Sequence, residues 1–576
     1  MTRSVKGGSS VKFQDFKYVR PNIESIKTSM TEKLEEFKAA KSFEQQDNFL
    51  AEINTMRAEI DTMDNIGYIR HTMDTTDTFY EEEQNFWDEN RPYLEELNSA
   101  FYKALTESIY RKELEEKWGS QLFTLAEMTL KVFSVEIIED LQEENKLCTE
   151  YRKLMASAEL MFDGQKRNLA QMQPFMQSQD RKIRKEAAQV HWSFFEENEA
   201  KFDDIYDKLV KVRHKIAQKL GFENFVEVAY LRMSRSDYNH NDVANYRKQV
   251  KESLVPITSE LLKRQQKRLN LDALHYHDEQ LEFTSGNATP KGEPEWILDQ
   301  GKTMYQELSK ETDEFFKVMT DKNLLDLVSR EGKAPGGYCT YIADEKVPFI
   351  YSNFNGTSGD VDVLTHEAGH AFQVYSSRNF EVLEYNWPTT EACEIHSMSM
   401  EFFAWPWMNL FFKEDEAKYK FSHLSGGLIF IPYGVSVDEF QHFVYENPEA
   451  TPEQRKAKWR EIEKKYLPMR NYEEYPFLEK GTFWFKQMHI FEIPMYYIDY
   501  TLAQVCAYQF WVKSQNESSK TKAWNDYLKL CQAGGSVSFL KLIELANLDN
   551  PFENGSIAKV AGPIADYLNG VDDSKL

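Results

Sequence analysis

Residues 365–372 read THEAGHAF and place His366 and His370 four positions apart, with Glu367 directly after the first. On a helix that spacing brings both imidazoles to one face, one turn apart, where both can reach a single ion. Glu367 then lies beside the metal pocket without being forced to bind. Two imidazoles and a nearby carboxylate suit zinc-assisted hydrolysis, in which the ion polarises a water and the carboxylate takes its proton. Asp360 or Ser358 is placed to cap the helix, and Val361, Val363, Leu364, Ala368 and Phe372 give it apolar surface. Gly369 inside the helix costs about 1 kcal/mol relative to Ala, so another element is expected to approach closely there.

A catalytic zinc needs a third protein ligand. The segment TTEACEIHSMSMEFF (389–403) reads as the next helix, entered after Pro388 with Thr390 as its cap. Glu391, Glu394, His396 and Glu401 are its candidate ligands. Glu394 and Glu401 are seven apart and share a face, so one can bind the metal while the other orients a ligand. Spacing favours Glu394, against the plainer reading of a solvated acidic face. His396 lies on a different face and competes for the role.

Immediately upstream, GKAPGGYCTYIADEKVPFIYSNFNGTSGD (332–360) carries strand signals at Tyr338 to Ile342 and Val347 to Tyr351, flanked by glycines and a charged turn. A small sheet therefore precedes the motif. The strand around Val347 to Ser352 is expected to pair with a substrate backbone. TSGNATPKGEP (284–294) reads as a loop, and 295–330 as helix. Before that, Ile23, Ile26, Met30, Leu34 and Phe37, then Leu50, Ile53, Met56, Ile60 and Met63, recur at three- and four-residue steps. They predict a helical pair over 20–65. Amphipathic segments continue through 78–118, 121–160, 180–220 and 241–270, and no repeat period emerges.

Of the 576 residues, 41% are hydrophobic and 14% aromatic, enough for a large packed interior. With 94 acidic against 69 basic side chains, the net charge of -25 disfavours nucleic acid and anionic membrane surfaces as partners. The five cysteines have no metal or redox spacing, which suggests a reducing compartment. The first twenty residues contain no apolar secretory stretch, and no run reaches the roughly 18 apolar residues of a spanning helix. A cytoplasmic location is expected.

The sequence resembles the thimet oligopeptidase and oligoendopeptidase F family of metallopeptidases, its bacterial branch in particular. The resemblance rests on HEAGHAFQ (366–373), EIHSMSME (394–401), FNGTSGDV (354–361), VDEFQHFVYENP (437–448) and HIFEIPMYYIDY (489–500), in that family's order and spacing. It covers the C-terminal two-thirds of the chain. It implies one zinc per chain held by His366, His370 and Glu394, with Glu401 behind them and Glu367 as general base. It also implies that His489, Tyr497 and Tyr500 hold the substrate carbonyl and its developing oxyanion, with Tyr496 competing with Tyr497. Read without the family, this late segment is an aromatic-rich core helix, with Pro494 in its first turn. It is poorer in glycine than the family's. The fold implied is mostly α and two-lobed, with a small β-sheet next to the motif helix and a deep central substrate channel. Residues 1–185 form an N-terminal helical region and 186–576 the catalytic region. The activity implied is hydrolysis of internal bonds in short peptides. The rivals are a dipeptidyl exopeptidase on the same architecture and a peptide-binding protein that has lost catalysis.

Overall fold

The computed structural model describes residues 11–576; the first ten, which open the predicted N-terminal region, lie outside the described residues. The periodic apolar positions of 20–65 fold as Ile23–Ala39 and Phe43–Met73, joined by a short turn. Asn22 Oδ1 and Ser42 Oγ accept the Ser25 and Gln45 amides at 2.9 and 3.2 Å. Each cap satisfies an amide that the first helical turn would otherwise leave bare. The apolar stripes meet Thr78–Thr106 in a cluster of their own, built on Met30, Leu34, Phe37, Leu50, Ile53, Phe101 and Leu105. Val382 and Tyr385 of a distant connector complete that cluster.

Helices account for most of the remaining chain, and their buried faces share one large hydrophobic cluster. Two strand features depart from the sequence reading. Helix ends at Asp321, and Leu325–Val328 is a strand rather than the end of a helix reaching 330. Asn323, at φ +54°, breaks the helix, and four residues are too few for a strand period to declare itself. Leu160–Phe162 and Gln165–Arg167 form a hairpin that begins where a stretch read as helical to 160 ends. Its turn, Asp163-Gly164, has positive φ at both residues, 53° and 71°, as an Asp-Gly hairpin turn requires.

The three-stranded sheet lies beside the motif helix. Val347–Phe354 is its centre, parallel to Leu325–Val328 and antiparallel to Tyr338–Ile342. The centre strand is therefore paired on both edges and cannot accept a substrate strand, which corrects the expectation for Val347 to Ser352. Tyr338–Ile342 has a strand neighbour on one side alone among the described residues. Its Thr340 hydroxyl donates to Asn65 on Phe43–Met73 at 2.7 Å.

Candidate active site

The helix Gly359–Ser377 presents His366, Glu367 and His370. Neither predicted residue caps it: Ser358 makes no cap hydrogen bond. Asp360 instead accepts the Asn355 and Gly356 amides, each at 2.8 Å, and so fixes the loop that delivers the helix from the sheet.

Glu394 and Glu401 lie on the following helix, Thr390–Phe403. Thr390 is not its cap; its hydroxyl donates to Asp499, which ties the helix start to Ile498–Ser514. A Cβ on Gly369 would lie 2.6 Å from both the His396 carbonyl oxygen and the Ser397 Cα. The missing side chain therefore sets how closely the two helices approach, and with it the reach from Glu394 to the histidines. Gly369→Ala should cost about 1–3 kcal/mol, because backbone cannot rotate away as a side chain would. Chemical denaturation tests this, and unchanged stability would refute the packing argument.

His366 Nε2 and His370 Nε2 lie 3.1 and 3.3 Å from Glu394 Oε2. Ligand atoms of the three residues lie within 4.8 Å of one another. The donor set, two imidazole nitrogens and a carboxylate oxygen, fits zinc. His366 Nδ1 is 2.7 Å from Glu401 Oε1, and Glu401 Oε2 is 2.7 Å from His423 Nε2. His423 Nδ1 in turn accepts the Trp405 indole N–H at 2.8 Å. Since indole only donates, a neutral His423 carries its proton on Nε2 and gives it to Glu401. The other Glu401 oxygen accepts from His366 Nδ1, which leaves the His366 Nε2 lone pair for a metal. Burial would raise the Glu394 pKa, but the charge and hydrogen bonds of the two imidazoles hold it well below the usual carboxylate range.

Glu367 is buried and its Oε2 has no hydrogen-bond partner. Burial pushes its pKa up. The remaining candidate ligands point elsewhere. His396 is fully buried against Tyr527, with neither ring nitrogen partnered, and burial lowers it to about 3. Glu391 is buried beside Asp499 and Arg235. Elsewhere, His275, His277 and Asp278 also cluster, but the Asp278 carboxylate is already engaged by Arg181, Arg184 and the His275 amide.

The late segment is not helical from Pro494. Met488–Glu492 is a short helix, and regular helix resumes at Ile498 after a turn containing Met495 at φ +69°. That turn re-aims the tyrosines. Tyr496 donates to Glu394 Oε1, and His489 Nε2 is 2.9 Å from the Tyr500 hydroxyl oxygen. Tyr433 donates to Gln487 Oε1 at 2.8 Å, which turns the Gln487 amide nitrogen toward His489 Nδ1 at 2.9 Å. Burial lowers His489 to about 4, so it is neutral at pH 7 with its proton on Nε2. It therefore donates to Tyr500 and leaves the Tyr500 O–H free to point into the cavity. Tyr497 lies apart: it lines a smaller neighbouring cavity, and Tyr496 stands where the sequence placed Tyr497. Sequence reading also missed His423, Trp405 and Gln487, which carry no motif; spacing cannot show that a residue twenty-two positions beyond Glu401 folds back to it.

His366, Glu367, His370, Glu394, Tyr496 and Tyr500 gather in a cavity of about 570 Å³. Gly337, Tyr338 and Cys339, at the start of the outer strand, form one wall, and Gln84, Arg91, Asn145 and Arg152 of the N-terminal helices form another. Such a space admits an extended chain segment but not a folded domain.

A cleft lined by a metal-competent nitrogen and oxygen set, with a free carboxylate beside it, has the chemistry to hydrolyse an uncharged acyl bond. In a mostly helical body this defines a helical peptidase. The chain belongs to peptidase family M3: residues 174–561 match that family, and residues 13–133 match the Peptidase M3 N-terminal domain. PZ peptidase A, solved with an inhibitor, is 57% identical with a TM-score of 0.97, over 98% of this chain and 100% of that one. An oligoendopeptidase F homolog of Borreliella burgdorferi is 26% identical over 233 residues, a match spanning 39% of this chain and 38% of that protein's length. Oligoendopeptidase F from Enterococcus faecium, 15% identical with a TM-score of 0.61 over 96% of this chain and 98% of that one, shares the fold. Among the described residues no helix is long and apolar enough to cross a membrane.

Proposed function

We propose that the chain is a zinc-dependent oligoendopeptidase that hydrolyses internal bonds of short peptides. The observation that carries this reading is the convergence of His366 Nε2, His370 Nε2 and Glu394 Oε2 next to the unpartnered Glu367 carboxylate. His366, His370 and Glu394 would hold one zinc, which when bound supplies a Lewis acid and lowers the pKa of water toward neutrality. Glu367 takes the proton of the attacking water and passes it to the leaving amine; burial raises its pKa toward the range a base at neutral pH needs. Glu401, held by His423, keeps His366 oriented, and Tyr496 does the same for Glu394. The open edge of Tyr338–Ile342 supplies backbone groups to the substrate, which gives sequence-tolerant binding. The five free thiols support a reducing, cytoplasmic setting.

Tyr500 donates its free O–H to the oxyanion, with His489 holding the hydroxyl in place. Tyr500→Phe should lower kcat by about 10²-fold with little change in KM, as loss of one such donor does. A change confined to KM would assign Tyr500 to ground-state binding instead.

The deciding experiment uses a short quenched peptide blocked at both ends. Interior cleavage that is lost with a chelator and restored by zinc supports the proposal. Activity on unblocked peptides alone points to an exopeptidase, and chelator-insensitive cleavage removes the metal from the mechanism.

A further inference from the structure

Tyr496 and Tyr500 each follow a residue that one side chain holds from behind. Arg235 lies in the loop after the helix Phe225–Arg232, past a left-handed turn at Ser234, φ +57°. Its guanidinium is fully buried and packs over the Tyr230 ring, 4.5 Å from the centroid. A single nitrogen, Nη2, donates to the Met495 carbonyl at 2.7 Å and to Asp499 Oδ1 at 2.8 Å. Met495 directly precedes Tyr496, and Asp499 directly precedes Tyr500. The Met495 carbonyl belongs to the peptide plane that leads into Tyr496, so the arginine sets the direction in which that residue leaves the turn. The second oxygen of Asp499 accepts the Thr390 hydroxyl at 2.5 Å, one turn before Glu394. One buried ion pair therefore ties together the turn before Tyr496, the helix that bears Tyr500 and the helix that bears Glu394.

Stability alone does not account for an arginine here. Both charges are removed from water, and the Nε and Nη1 hydrogens find no acceptor. Such burial offsets much of what the pair gains, and apolar side chains of similar volume serve a core as well. Glu391, buried beside the pair, is held above the usual carboxylate range by burial and by Asp499, so Asp499 carries the charge that balances the arginine. What the arginine does secure is an unfavourable backbone. Met495 is at φ +69°, in the left-handed region that a side chain disfavours. Gln441 Oε1 accepts its amide at 2.8 Å while Arg235 binds its carbonyl, which pins the turn on both sides. Released from Arg235, the turn would relax toward negative φ and carry the Tyr496 hydroxyl away from Glu394.

We propose that Arg235 is a positioning residue for hydrolysis, holding the hydroxyls of Tyr496 and Tyr500 in the cavity through Met495 and Asp499. This rests on the peptidase reading above. The main test is the charge-balanced variant Arg235→Met/Asp499→Asn, which keeps an acceptor for Thr390 and leaves no charge of the pair buried alone. It should lower kcat on the quenched peptide by about 10²-fold, as loss of an oxyanion donor does, with little change in KM. Its unfolding temperature should stay within a few degrees of wild type. Arg235→Lys places three donors at one point with one bond less reach, and its kcat should lie between the two. In a chain that already carries Tyr496→Phe and Tyr500→Phe, the same double substitution should cost no more than about threefold further, because the hydroxyls it positions are gone. A full loss that multiplies in that background overturns the proposal, as does a wild-type kcat in the double variant. Arg235→Lys supplies the same comparison in both backgrounds if the double variant does not fold. A wild type that cleaves no peptide fails the peptidase reading itself; cleavage by the wild type with a multiplying loss fails this assignment alone.

Discussion

Glu367→Gln is expected to abolish peptide hydrolysis, with a loss on the order of 10²–10⁴-fold in kcat, while zinc content stays at that of the wild type. The amide matches the carboxylate in shape but cannot take a proton. Glu367 suits this test because its Oε2 has no partner in the fold, so the substitution breaks no network at that atom. A neutral amide is also less costly to bury than a carboxylate, so stability should not fall. Turnover of the quenched peptide and metal analysis on the same preparation measure both halves of the claim. Turnover within tenfold of wild type would remove Glu367 from the role of base.

Glu394→Ala acts on the other half of the site. It takes away the carboxylate that faces both imidazoles, leaves two of the three proposed ligands, and strands the Tyr496 hydroxyl that donates to it. Zinc affinity should fall by well over 100-fold, measured by competition with a chromophoric chelator. Glu401→Gln provides the scale. It disturbs a residue one bond further from the metal, where losses of about 10–100-fold are usual. If Glu394→Ala keeps stoichiometric zinc through dialysis against chelator, the third ligand is another group.

Much of the site could be read in the sequence because helical spacing is local. The four-residue step fixed the faces of His366 and His370, the seven-residue step that of Glu394 and Glu401, and the glycine at 369 signalled a close crossing before any partner was known. Non-local geometry was out of reach. Pro494 suggested a helix start, but a positive φ at Met495 delays the helix to Ile498 and sends Tyr496 to Glu394. His423 meets Glu401 only because a separate long helix lies across the motif. Strand signals identified Tyr338 to Ile342 and Val347 to Tyr351, yet not their order in the sheet, so the strand expected to pair with substrate is the one already paired on both edges. The Asp-Gly turn at 163–164 falls between two segments read as helical, and its three-residue strands are too short to show a period.

The connector between the two ligand-bearing helices is held by the far end of the molecule. Arg57 forms a 2.5 Å ion pair with Glu384, Tyr102 donates to the same carboxylate at 2.6 Å, and the Tyr385 hydroxyl accepts the Leu122 amide at 2.9 Å. The distance from His370 to Glu394 is thus under the control of helices that contribute no ligand. The amino-terminal region works as a splint as well as a wall. Expressed without it, residues 174–561 would keep every proposed metal ligand yet lose the brace that holds them in register, and metal loading would become a measure of whether the two regions are joined.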